Sequence, residues 1–134
     1  MNKMLIVAAA GLALSGCQSA AFGVRTGSVL ASQREPSTVE VNGILNAMRE
    51  YLYDPYSVRD AEISKVIDLG GTATVCVKAN AKNQMGGYIG RKTVMVYMNA
   101  IGKPFAINQD VYAVSGCNQL TYRRFVEIEQ LKAL

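Results

Sequence analysis

The chain has no histidine among its 134 residues. This excludes a Ser-His-Asp or Cys-His nucleophilic site and any metal centre built on imidazole. Acidic residues number only 10, and no local carboxylate pair stands out for glycoside hydrolysis. A phosphate-cradling glycine loop of the P-loop kind is missing. No apolar run reaches the about 20 residues needed to span a bilayer. Internal repeats are absent as well. No catalytic residue, metal or cofactor is therefore expected, and the chain does not read as an enzyme.

What is present starts at the N-terminus. Lys3 precedes an apolar run of 11 residues, Met4 to Leu14, the length of a signal-peptide core. Leu14-Ser15-Gly16-Cys17 follows and resembles the lipobox of bacterial lipoproteins, where small residues admit the chain to a peptidase and a free thiol is alkylated by a diacylglyceryl donor. The resemblance implies that residues 1–16 are removed and that Cys17 carries the lipid, with palmitate among its acyl chains. Gln18 stands where Asp retains such proteins at the inner membrane, which implies the periplasmic face of the outer membrane, with the inner membrane as the alternative. An ordinary secretory signal or a short buried helix are the competing readings. Lys and Arg total 14, for a net charge of +4. This allows a modest attraction to anionic lipid or polysaccharide. Nucleic acid is not an expected partner of an exported chain.

With Cys17 assigned to lipid, Cys76 and Cys117 remain in a compartment that permits disulfides. A bridge between them would close a loop of roughly 40 residues and add about 3 to 4 kcal/mol. Two unpaired buried thiols are the alternative.

Residues 17–36 are poor in large apolar side chains and read as a tether; residues 37–134 read as one domain. Ser37 to Glu40 fits a capping box. Val41, Ile44, Leu45, Met48 and Leu52 recur at helical spacing, interrupted by Gly43, a residue that weakens a helix and marks a close approach. Pro55 ends the helix near Tyr53. Ala61 to Leu69 predicts an irregular strand with a bulge. Gly70-Gly71 is a hairpin signal, and Thr72 to Ala79 a strand with Val75 and Val77 on one face. Asn80 to Gly90 is a polar loop. Arg91 to Ile101 and Phe105 to Val114 predict two further strands, the latter broken near Asn108 to Asp110. Asn118 to Leu134, with Asn118 as N-cap, predicts a terminal helix. The expected fold is α+β: an antiparallel sheet of three to four strands, packed on one face by an N-terminal and a C-terminal helix.

Asp54-Pro55-Tyr56-Ser57-Val58-Arg59, then Val75-Cys76-Val77-Lys78-Ala79-Asn80-Ala81-Lys82-Asn83, then Gly86-Gly87-Tyr88-Ile89-Gly90, resemble a pattern in small exported proteins and lipoproteins of proteobacteria. That pattern runs DPYSARF, VCGEVNAKN and GGYTG. The resemblance implies a fold and no activity. This chain departs from it at Val77, where the pattern has Gly, and at Arg91-Lys92-Thr93.

The Asn80–Tyr88 loop carries two open readings. In one it is a rigid connection, with Asn side chains bonded to backbone and glycines permitting unusual φ. In the other, Asn80, Lys82, Asn83 and Tyr88 face a partner. Arg91, Lys92, Lys78 and Lys82 form either a basic patch or a charged strand edge. Arg123-Arg124 is expected on the solvent face of the last helix. The functional expectation is a membrane-anchored, non-catalytic interaction or structural lipoprotein of the envelope, contacting a protein or peptidoglycan; a periplasmic inhibitor or glycan-binding module is the alternative.

Overall fold

A computed structural model describes residues 26–133; the expected leader, residues 1–16, and Cys17 lie outside them. In chain order the elements are helix α1 (Thr26–Ala31), helix α2 (Thr38–Tyr51), a 3-10 turn at Pro55–Ser57, strands β1 (Arg59–Ser64), β2 (Ile67–Asp68), β3 (Ala73–Asn80), β4 (Lys92–Met98) and β5 (Pro104–Asn108), helix α3 (Val111–Val114), a 3-10 turn at Ser115–Gln119, strand β6 (Tyr122–Arg124), helix α4 (Val126–Glu129) and a closing 3-10 turn, Gln130–Ala133. All strand pairings are antiparallel, in the order β5-β4-β3-β1-β6, with β2 also paired to β3. The class is α+β, and the sheet has six strands rather than three or four. Among the described residues no helix is long and apolar enough to cross a membrane.

Helix α2 begins with the expected capping box. Ser37 accepts from the Glu40 N–H, and the Glu40 carboxylate accepts from the Ser37 N–H. Its apolar stripe, Val41, Ile44 and Met48, packs on Val75 and Val77 of β3 and on Val94, Val96 and Met98 of β4. Gly43 lies where an added Cβ would come within 2.8 Å of Pro104 Cδ, so β5 is the close neighbour that the glycine admits.

The opposite sheet face is also covered, contrary to expectation. Val29 of α1, Ile67, Cys76, Met95, Cys117 and Leu120 form a second apolar cluster there. Cys76 and Cys117 are disulfide-bonded inside it. With both faces covered, six of the eight residues of β3 are buried, Thr74 and Asn80 among them, where a one-sided sheet would show alternation.

Four corrections to the sequence reading have physical reasons. Residues 26–36 pack rather than dangle: Val29 is buried, and Arg34 pairs with Val66. Val29 and Leu30 supply apolar contact to the second cluster, too few large residues to stand out in a stretch otherwise small and polar. Ala61 to Leu69 divides into two strands, because Lys65 and Val66 turn aside to bond Thr121 and Arg34; the expected bulge lies between Arg59 and Glu62, beside Asp60 at φ 52°. Phe105 to Val114 breaks after Asn108, as expected, but continues as helix α3 rather than strand, because the Asp110 carboxylate caps it by accepting from the Tyr112 and Ala113 N–H groups. The terminal helix begins at Val126 rather than Asn118. The five-residue gap between Leu120 and Phe125 does not match a helical repeat, and the open edge of β1 takes Tyr122–Arg124 as a strand instead. Arg123 and Arg124 therefore sit on β6, paired with Glu127 and Glu129.

Candidate functional site

The Asn80–Tyr88 loop is built around one amide. Asn83 Oδ1 accepts from the Met85 N–H at 2.9 Å and the Gly87 N–H at 3.2 Å. Its backbone N–H donates to Gly87 O, and its carbonyl accepts from the Gly86 N–H, both at 3.0 Å. Gly86 sits at φ 76°, a conformation that glycine adopts without strain. Lys82 and Tyr88 pair across the loop base, so Met85 projects at the tip, 91% exposed.

The base is tied to the Pro55–Ser57 turn. Ser57 Oγ donates to Asp54 O at 2.7 Å and accepts from the Lys82 N–H at 2.7 Å. The Tyr88 hydroxyl donates to Ser57 O at 2.6 Å, and the Arg59 guanidinium stacks 3.7 Å from the Tyr88 ring centre. The Asp54–Ser57 segment and the loop, remote in sequence, are thus one unit.

Between this unit, the end of α2 and the sheet lies a cleft of about 450 Å³. Its floor is apolar: Met48, Leu52, Val77, Ala79 and Val94. Its rim carries Tyr51, Tyr53, Ile89, Lys82 and Lys92, together with the amides of Asn83 and Gln109. The Tyr51 hydroxyl donates to Gln109 Oε1 at 2.6 Å, and burial pushes its ionisation above the usual phenol range. The rim's polar groups are therefore phenols, amides and ammonium ions, a set suited to holding an anionic or polar partner while the floor receives an apolar group.

The four loop residues singled out from sequence divide. Lys82 and Asn83 line the cleft. Tyr88 is half-buried and supports the loop. Asn80 is buried on β3, and its Oδ1 finds no hydrogen-bond partner among the described residues. The suspected basic patch splits as well. Arg91 pairs with Glu62 at 2.8 Å, and Lys78 lies 4.0 Å from the Tyr122 ring centre, leaving Lys82 and Lys92 at the cleft. The second apolar cluster holds the Tyr122 ring, and burial drives its phenol far above the usual range, with the Glu62 charge adding to the effect and Arg91 opposing it.

Sequence reading missed the cleft's other wall. Tyr51 and Tyr53 form it, and Tyr53 is 68% exposed. Their clustering just before Pro55 was the available signal. Gln109, brought in by the turn after β5, had none. No protein-family model matches this chain, and no curated protein or solved structure matches it either.

Proposed function

We propose that the chain is an envelope lipoprotein, held through lipid on Cys17 at the periplasmic face of the outer membrane, whose folded domain is a non-catalytic interaction module acting through this cleft. The cleft carries the reading: an apolar floor, exposed aromatic and aliphatic rim residues and two lysines are gathered by three separate elements. The lipobox-like Leu14-Ser15-Gly16-Cys17 supports the anchor. The Cys76–Cys117 disulfide suits an oxidising compartment.

Two measurements test the proposal. Radiolabelled palmitate is expected on the expressed chain and lost in Cys17→Ser. A photo-crosslinking side chain at position 89 is expected to capture an envelope component, whereas one at the exposed Lys103 is not. Absence of label removes the anchor; equal capture at both positions removes the cleft. A glycan-binding module is the second reading, favoured by the exposed Tyr53 ring and the Asn83 side chain lining one cleft. Retention on purified peptidoglycan sacculi, abolished by Tyr53→Ala, would support it.

A further inference from the structure

The cleft is one part of a larger surface. Four apolar or aromatic side chains stand out from this end of the domain: Tyr53 (68% exposed), Tyr56 (56%), Met85 (91%) and Ile89 (60%). Tyr53 and Ile89 border the cleft. Tyr56 belongs to the turn whose Ser57 anchors the loop, and Met85 is the loop's tip. Lys82 and Lys92 flank them with no carboxylate within ion-pair distance among the described residues. Arg59 and Arg91, by contrast, have Asp60 and Glu62 beside them. Among the described residues no Asp or Glu lines the cleft. A projecting apolar tip, exposed tyrosines and two lysines without a carboxylate partner, Lys82 having only the Tyr88 ring at 5.8 Å, together are the composition of a surface that enters a lipid headgroup layer.

We infer that the partner of this cleft end is an anionic lipid surface, with Met85 and Ile89 entering the acyl boundary, Tyr53 and Tyr56 at headgroup depth, and Lys82 and Lys92 against lipid phosphates. The choice of occupant follows from charge and shape. The lysines call for an anion, and Met85 stands clear of the domain, where a concave site alone would leave it unused. The inference rests on the cleft end being the interaction site and names what it meets; it does not depend on acylation of Cys17. A lipid anchor would only raise the local concentration of the surface.

The chain has no tryptophan, so Met85→Trp introduces a single indole at the loop tip. The full chain with this change is mixed with vesicles of phosphatidylglycerol or of phosphatidylcholine, each with brominated acyl chains. Expected are a shift of emission to shorter wavelength and bromine quenching on phosphatidylglycerol, with little of either on phosphatidylcholine. A control indole from Lys103→Trp, in the turn at the far end of β4 from the loop, should stay unquenched. Adding Lys82→Gln and Lys92→Gln should lower the insertion equilibrium of the loop indole about twenty-five-fold, each lysine near an anionic surface being worth about fivefold. An indole at position 85 that stays in water on phosphatidylglycerol, inserts equally into both lipids, or quenches no more than the control overturns the inference. If it stays in water while the crosslinker at position 89 captures a protein, the interaction module stands and its lipid partner falls. If neither responds, both fall.

Discussion

Removing the charge of the buried Glu40 should reveal how much its ion pair with the half-exposed Arg34 holds α1 and its following segment onto α2. The side chain is 7% exposed, accepts from Arg34 Nη2 at 2.6 Å and Nη1 at 2.8 Å, and also accepts from the Ser37 N–H at 2.8 Å. The Arg34 hydrogen bonds hold its ionisation down, from 4.5 to about 2, against the opposing effect of burial. A carboxylate with a lower folded than unfolded value stabilises the fold above the unfolded value and loses that effect as pH falls towards the folded one. The interval corresponds to about 3 kcal/mol at pH 7 and under about 1 kcal/mol near pH 2.5. Glu40→Gln keeps the shape and an N3 cap but removes the charge. Urea melts should place it about 2 to 3 kcal/mol below the parent at pH 7, with the gap closing in acid. A difference below about 0.5 kcal/mol at pH 7, or one that persists unchanged in acid, would refute the linkage.

Cys76→Ala with Cys117→Ala should cost about 4 kcal/mol, given the 41-residue separation, and lower the thermal midpoint by at least about 10 °C; a drop of under about 3 °C would show that packing alone suffices. Gly43→Ala should destabilise by about 1 to 3 kcal/mol, against the usual gain of about 1 kcal/mol for alanine in a helix, because its Cβ would meet Pro104 Cδ at 2.8 Å and Gly102 O at 3.1 Å. The sign of the change in urea midpoint decides it. Tyr88→Phe leaves the buried Ser57 without its phenol partner and should cost about 1 kcal/mol, with faster proteolysis of the Asn80–Gly90 loop; unchanged stability and cleavage would free Tyr88 for a role in binding.

Much of the fold is legible because short-range rules decide it. The capping box, the Val41–Met48 stripe, the Gly70-Gly71 turn at φ 64° and 88°, and β3 follow from neighbours within a few residues. The misread segments are those decided by distant partners. Tyr122–Arg124 is a strand because β1 has a free edge, and Val29 is buried because the sheet's second face needs covering. The candidate site divides in the same way. Asn83 shows its loop-building part locally, but the cleft exists only where α2, the loop and β4 meet. Asn80 illustrates the limit: the type and loop position of a polar residue do not reveal which side of a strand it occupies.

Cys76 and Cys117 are both 0% exposed, sealed between the sheet and the chain that crosses it. No protein oxidant can reach either sulfur once that layer is closed, so the bond has to be made on an unfinished chain, while strand β3 is still accessible from behind. The same seal works in reverse afterwards: a reductant in the medium meets no sulfur until the layer lifts. Oxidation is therefore a condition set while the chain folds, and the folded molecule keeps it without further contact with the redox state outside.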